Sequence, residues 1–359
     1  MQENKETVSR FNQFLIKKEI EFSIKRYAID ALGAMAHGLF ASLLIGTIMK
    51  TIGAKLGIEI LVTVGGYAAA ATGPAMAVAI GYALKAPPLV LFSLVAVGGA
   101  ANALGGAGGP LAVLLITIGA AEAGKLISRE TKVDIIATPF VTIFVGAILA
   151  LLLAPSIGQA ASSVGGLIMW ATELQPILMG IIVSVIIGIA LTLPISSAAI
   201  CAALGITGLA GGAALAGCCA QMVGFAVISY RENGWGGVVS QGVGTSMLQM
   251  SNIVKKPRIW IAPIVASAVT GPLATTLFQL KMNGPAVASG MGTCGFVGPI
   301  GVYSGWLADI ASGQKEAITQ MDWISLGLVC FVLPAIIALL VNHGLKKIGW
   351  IKPGDMKLD

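Results

Sequence analysis

Charge is what this chain has least of. Aspartate, glutamate, lysine and arginine make up 11% of its residues, where a soluble domain carries roughly a quarter. That scarcity excludes a water-soluble globular fold, because there is too little polar surface to cover the apolar remainder. Aromatic residues are 6% of the chain and do not interleave with the lysines and arginines. A nucleic-acid surface needs both together, so no nucleic-acid partner is expected. There are two histidines, and no set of His, Cys and carboxylates has metal-ligand spacing, so neither a metal nor another cofactor is expected. The five cysteines, Cys201, Cys218, Cys219, Cys294 and Cys330, form no Cys-x-x-Cys pair and lie in apolar or Gly-rich surroundings. They read as small buried hydrophobes and not as a disulfide framework. The His-Glu-x-x-His motif, the nucleophile elbow and the phosphate loop are also missing, which leaves an intramembrane enzyme as the weakest reading.

What fills the chain is apolar. Hydrophobic residues are 56% and mean hydropathy is +0.90. Apolar runs long enough to cross a bilayer core of about 30 Å recur between charge clusters. Candidate spans lie at 27–49, 58–84, 87–104, 110–127, 135–154, 176–194, 204–228, 259–281 and 322–345. The pieces 157–171, 235–253 and 284–302 are apolar but broken by glycine. Irregular backbone at membrane depth is tolerated only inside protein or beside a watery cavity, so these are candidates for re-entrant or discontinuous segments. The expected fold is an all-α polytopic membrane protein of about ten transmembrane helices. Residues 1–26 form a cytoplasmic lead-in, with an amphipathic helix over 8–24 that lies on the lipid surface. Residues 27–345 form one transmembrane domain and 346–359 a basic tail. The first apolar run is too long for a cleaved leader and reads as a retained span.

Charge orients these spans. Arg10, Lys17, Lys18, Lys25 and Arg26 place the start in the cytoplasm, and Lys125, Arg129 and Lys132 return there four crossings later. Lys255, Lys256, Arg258, Lys346 and Lys347 mark the same side, while Lys50 and Lys55 fall on the other. Both ends are therefore expected in the cytoplasm. The net charge of +6 is explained by these flanks, which meet anionic headgroups. A short similarity between Lys132–Val141 and Lys256–Val265 hints at two related halves meeting at a central site.

The polar residues that remain inside apolar surroundings are candidates for function. His37 lies within the first span, two turns after Asp30 and beside a small-residue stripe of Gly38, Ser42 and Gly46. Asn102 sits in a Gly-rich break between Gly98 and Gly106, and Glu122 lies late in the fourth span. Two loops share a pattern, Gly242-Val-Gly244-Thr245 and Gly290-Met-Gly292-Thr293. Glycines there allow tight turns and close approach to a ligand. Gln241, Thr245, Gln249 and Asn252 concentrate amides and a hydroxyl, which offer donors and acceptors together, as sugar hydroxyls require. Ser196 and Ser197 after Pro194 are placed to start a half-helix.

The segments Lys132–Pro139, Gly242–Pro257 and Gly290–Pro299, with the opening Ala-Met-Ala-His37-Gly-Leu-Phe-Ala-Ser-Leu43, resemble the membrane IIC (EIIC) component of the bacterial phosphotransferase system. The similarity is greatest to the perfringolysin-regulator-like (PfoR-like) branch. The resemblance implies a homodimeric, elevator-type carrier in the bacterial inner membrane. It also implies separate IIA and IIB proteins that phosphorylate the sugar on the cytoplasmic side. The chain lacks the Gly-Ile-Thr-Glu-Pro motif of better-known sugar branches and has no IIA or IIB domain of its own.

Two functions follow. The first is a carrier for a sugar or similar small polar solute, bound by His37, Asn102, Glu122, Gln241, Thr245, Gln249, Asn252 and Thr293. Its coupling would come from phosphotransferase partners, or from a proton through Glu122 or His37. The second is a membrane sensor that binds solute without net flux and signals through the N-terminal helix or the basic tail.

Overall fold

The computed structural model describes residues 10–358. It is 82% helical, and among the described residues the sole β pairing is an isolated bridge between Gly208 and Met282. Among the described residues, six helical stretches are long and apolar enough to cross a membrane, or seven if one bent pair counts as a span. This differs from the expected ten or so, because the count takes Pro88–Ile127 as one stretch, although it forms two legs in space, and leaves out the shorter Pro176–Thr192.

The first half of the chain is a set of antiparallel helices. Helix α1 (Arg10–Lys17) covers part of the expected 8–24 amphipathic segment, whose first two residues lie outside the described ones. Just after it, Lys18 donates to the Ser128 carbonyl and pairs with Glu130 at 2.6 Å. The Lys18 hydrogen bond holds the Glu130 carboxyl below its usual range, and Lys85 does the same for Glu19.

Helix α2 (Arg26–Leu56) is widened by π-type turns at Arg26–Asp30 and Phe40–Leu44. Helices α3 (Glu59–Ala70) and α4 (Thr72–Ala83) run back along it, bent by 50° where they join. The expected stripe of small residues makes this packing close. A methyl group on Gly38 would lie 2.6 Å from the Ala75 carbonyl oxygen, and one on Gly46 would lie 2.6 Å from that of Gly65.

Helices α5 (Pro88–Gly105) and α6 (Gly109–Ile127) form one apolar stretch in sequence but two legs in space. The chain reverses at Gly106, whose φ is +49°, and Gly124 near the end of α6 sits against Val90 near the start of α5. Helix α7 (Asp134–Thr172) has 39 residues, about 58 Å of helix against a hydrocarbon core of about 30 Å. The piece 157–171, expected to be broken, continues this helix instead. Gly158, Gly165 and Gly166 stay helical within it, and Pro155 is absorbed too.

In the second half, α8 (Pro176–Thr192) and α10 (Gly208–Ile228) run parallel. Ser184 lies against Gly217, and Thr192 against Gln221. Parallel neighbours need a return leg, and α9 (Ser197–Leu204) supplies it. The expected span at 176–194 is thus the descending arm of a hairpin, turned by Pro194 and capped by Ser196, whose hydroxyl accepts from the Ala199 amide at 3.2 Å.

The chain then passes through α11 (Tyr230–Val239), a π-type turn at Ser240–Gly244, a tight turn at Ser246–Gln249 and α12 (Met250–Lys255). This is the expected discontinuity at 235–253. Helix α13 (Pro257–Leu277) packs antiparallel to α8 and α10, with Ser267 meeting both Ser184 and Gln221.

A second hairpin follows. Its descending arm ends in the short α14 (Ala286–Ser289) and its rising arm is α15 (Val297–Ala311). A methyl on Gly284 would lie 2.1 Å from the Gly301 carbonyl oxygen, which fixes the two arms side by side. Helix α16 (Gln320–Lys347) closes the bundle. Its start is fixed by Thr319 and Asp322, each accepting from the other's backbone N–H.

The start and the tail of the described chain share one face, since Ser251 donates to the Ile29 carbonyl and Asn252 to that of Lys357. Lys55 lies elsewhere, bonded to Ser304 of α15 at 3.0 Å.

Candidate functional site

The two hairpins meet tip to tip. Ser197, at the first tip, donates to the Gly290 carbonyl of the second at 2.6 Å. Only glycine fits at 290, because a methyl there would stand 2.4 Å from the Ser197 carbonyl oxygen. Gly292, with φ of +54°, turns the second tip against the backbone of Cys218 and Cys219.

Beside this junction lies a cavity of about 70 Å³. Ser196, Ser197 and Ala198 of the first tip line it, with Gly290, Met291 and Cys294 of the second. Gly244, Thr245 and Met247 of the broken segment complete the polar side, and Leu39, Leu43, Leu44, Pro110, Leu191 and Ile195 form the apolar wall. At about 30 Å³ per water, the space holds roughly two waters. Ligand pockets run from about 300 Å³ upward, so a monosaccharide enters only if the tips part. Two of the π-type turns, at Phe40–Leu44 and Ser240–Gly244, border the cavity. Widened turns of this kind are frequent at functional sites.

Behind the cavity is a buried polar network. Gln221 of α10 is fully buried. Its carbonyl oxygen accepts from Trp260 Nε1 at 2.8 Å and Thr192 Oγ1 at 3.2 Å, and its amide donates to Ser267 Oγ at 3.2 Å. Thr192 is also 2.8 Å from Ser246 Oγ, next to Thr245. The sequence reading did not single out Gln221, although an amide in the middle of an apolar span was signal enough.

The eight residues expected at the site fall in five places. Thr245 lines the cavity. Thr293 is buried beside it, its hydroxyl pointing to Met222 Sδ at 3.6 Å. The two Gly-x-Gly-Thr loops therefore do converge. Gln241, Gln249 and Asn252 are buried as a ladder running away from the cavity. The Asn252 amide donates to Gln249 Oε1, Gln249 to Gln241 Oε1, and Gln241 to Ser229 Oγ, each at 2.9 Å.

Glu122 lies at the face that carries the N-terminal segment. It accepts from Tyr27 Oη at 3.1 Å, and the Lys125 ammonium approaches to 2.9 Å. That approach makes an ion pair but not a directed hydrogen bond, since Glu122 Oε2 has no hydrogen-bonding partner. Asn102 is half-buried where α5 ends, close to Gly109. His37 is exposed on α2.

At the same face as Glu122, a cleft of about 400 Å³ is lined by Lys17, Lys18, Lys85, Lys125 and Arg129, with Glu19 and Glu130 between them. Lysines 18, 85 and 125 are each paired with a carboxylate. No group of three or more metal-binding side chains occurs among the described residues.

A family model described as "Phosphotransferase system, EIIC" matches residues 29–358. No curated protein and no solved structure matches the chain.

Proposed function

The chain belongs to the phosphotransferase-system EIIC family, a family of membrane components of sugar transport, and on that premise we propose that it carries a sugar or similar small polar solute. The observation that carries this reading is the convergence of two hairpin tips and a broken segment on Thr245, Ser196 and Ser197. Each of those hydroxyls both donates and accepts, which is the complement a polyol needs. Broken backbone is found at membrane depth where it borders a cavity, and paired broken segments mark transporter sites.

In this reading the Ser197–Gly290 bond seals the site, and its opening admits solute to Thr245 with Thr293 behind it. The face carrying Lys17, Lys18, Lys125 and Arg129 is cytoplasmic by its charge. Eight full passes and two re-entrant hairpins, with both ends on that face, take the place of the ten or so spans expected from the sequence. Separate IIA and IIB proteins would act at that face, since the chain carries no phosphotransfer motif. Homodimerisation and membership of the PfoR-like branch belong to the same reading. The sensor alternative rests on the small size of the cavity, about 70 Å³, which suits binding without flux.

Reconstitution into liposomes tests the proposal. Labelled hexoses and polyols are supplied outside, with a phosphorylated IIB protein inside. Uptake of one solute by wild type, lowered about tenfold or more by Thr245→Val, a loss of ~1.4 kcal/mol, is the expected result. Solute-dependent thermal stabilisation without uptake would select the sensor. Neither uptake nor stabilisation with any solute would overturn both.

A further inference from the structure

The segment after α16 folds back across the cytoplasm-proposed face and is bound there almost wholly through its backbone. The Met356 carbonyl accepts from Asn233 Nδ2 and from Gln249 Nε2, both at 2.9 Å. The Lys357 carbonyl accepts from Asn252 Nδ2 at 2.9 Å. The Met356 N–H donates to Glu232 Oε2 and the Leu358 N–H to Asn233 Oδ1, both at 2.8 Å. Met356 is fully buried, Ile351 is 2% exposed, and the Arg258 guanidinium lies 5.0 Å from the Trp350 ring centroid.

We propose that segment 349–358 is a releasable strap that holds the broken segment 240–249 in place and thereby keeps the central cavity closed. Three observations carry this. The ladder from Met356 through Gln249 to Gln241 ends on Ser229 and Gly237, immediately before the π-type turn that leads to Thr245. That turn is itself a tight fit, since a methyl on Gly244 would stand 2.2 Å from the Phe40 ring. Finally, the groups that grip the strap are side-chain amides, a carboxylate and backbone, all of which water satisfies at an aqueous face. Release therefore exchanges protein hydrogen bonds for water ones, and its cost falls on exposing the Ile351 and Met356 side chains. The inference holds for a carrier and for a sensor alike.

Cys294 lines the cavity and is 2% exposed, so its alkylation reports opening without reference to transport. Full-length protein in lipid nanodiscs is treated with a maleimide, and adducts at each cysteine are followed by mass spectrometry. Two variants are compared with wild type, a chain ending at Lys347 and the double variant Gln249→Leu/Asn252→Leu. The expected result is that Cys294 alone reacts faster in both, by about tenfold or more, equal to ~1.4 kcal/mol in an opening equilibrium. A synthetic peptide of residues 348–358 added to the shortened chain restores the slow rate. Unchanged Cys294 reactivity in both variants overturns the proposal. So does equal acceleration at all five cysteines in both, which would make the segment a staple for the whole fold.

Discussion

Replacing Gln221 with leucine removes the centre of the network behind the cavity, and the structure sets the size of the loss. Three bonds go, to Trp260, Thr192 and Ser267. Thr192 keeps Ser246 at 2.8 Å, and Ser267 keeps the carbonyls of Gly217 and Pro263. Those two bonds are ordinary interhelical ones, worth about 0.6 kcal/mol each in a membrane. The indole N–H of the half-buried Trp260 has no second acceptor among the described residues, and stranding it costs toward the low end of the about 1–3 kcal/mol of a buried donor. The sum is a destabilisation of about 2–4 kcal/mol, concentrated on one atom. Trp260→Phe removes that atom, so the double variant Gln221→Leu/Trp260→Phe should be less destabilised than the sum of the singles by about 1 kcal/mol or more. Equilibrium unfolding in bicelles, titrated with a denaturing detergent, measures all four corners of the cycle. Strict additivity would refute the reasoning, because it would mean that the indole finds another partner when Gln221 is gone.

Two further predictions test the packing that frames the site. Gly290→Ala places a methyl 2.4 Å from the Ser197 carbonyl oxygen, and backbone on both sides cannot yield as a flexible side chain would. It should lower the melting temperature and raise Cys294 alkylation, whereas Gly166→Ala, where no atom lies within 4 Å, should change neither. Lys125→Met removes the cation beside Glu122 from a pair whose lysine side chain is fully buried. Breaking such a pair costs about 3 kcal/mol, and Glu122→Gln in the same chain should recover much of it, as read from detergent melting curves.

The all-helical architecture and the membrane setting were legible because they follow from bulk quantities, the scarcity of charge and the length of apolar runs. The breaks at 235–253 and 284–302 were legible too, since a lipid-facing helix has no use for glycine and polar residues gathered at membrane depth. What the linear pattern hides is direction. An apolar run of 40 residues, Pro88–Ile127, has the same composition whether it continues or reverses at Gly106, and 176–194 is as hydrophobic as a full span though it turns back at Pro194. Only the pairing of Val90 with Gly124, and of Ser184 with Gly217, decides the matter.

The amides illustrate a second limit. Gln241, Gln249 and Asn252 were singled out as donors and acceptors for sugar hydroxyls, and the structure gives all three partners within the chain. Gln249 and Asn252 reach the backbone of residues 356 and 357, more than 100 positions away, and Gln241 bonds Gln249, Ser229 and Gly237. A sequence announces that a buried polar group must be satisfied, but it does not say whether a solute or the chain itself satisfies it. Gln221 poses the opposite case, one amide among 21 residues of α10, isolated in sequence yet joined to two other helices, α8 and α13, in space. The strength of a polar signal along the chain is therefore a poor guide to its centrality in the fold. The groups nearest the cavity, Thr245, Ser196 and Ser197, are the small hydroxyl residues that a composition-based reading weighs least.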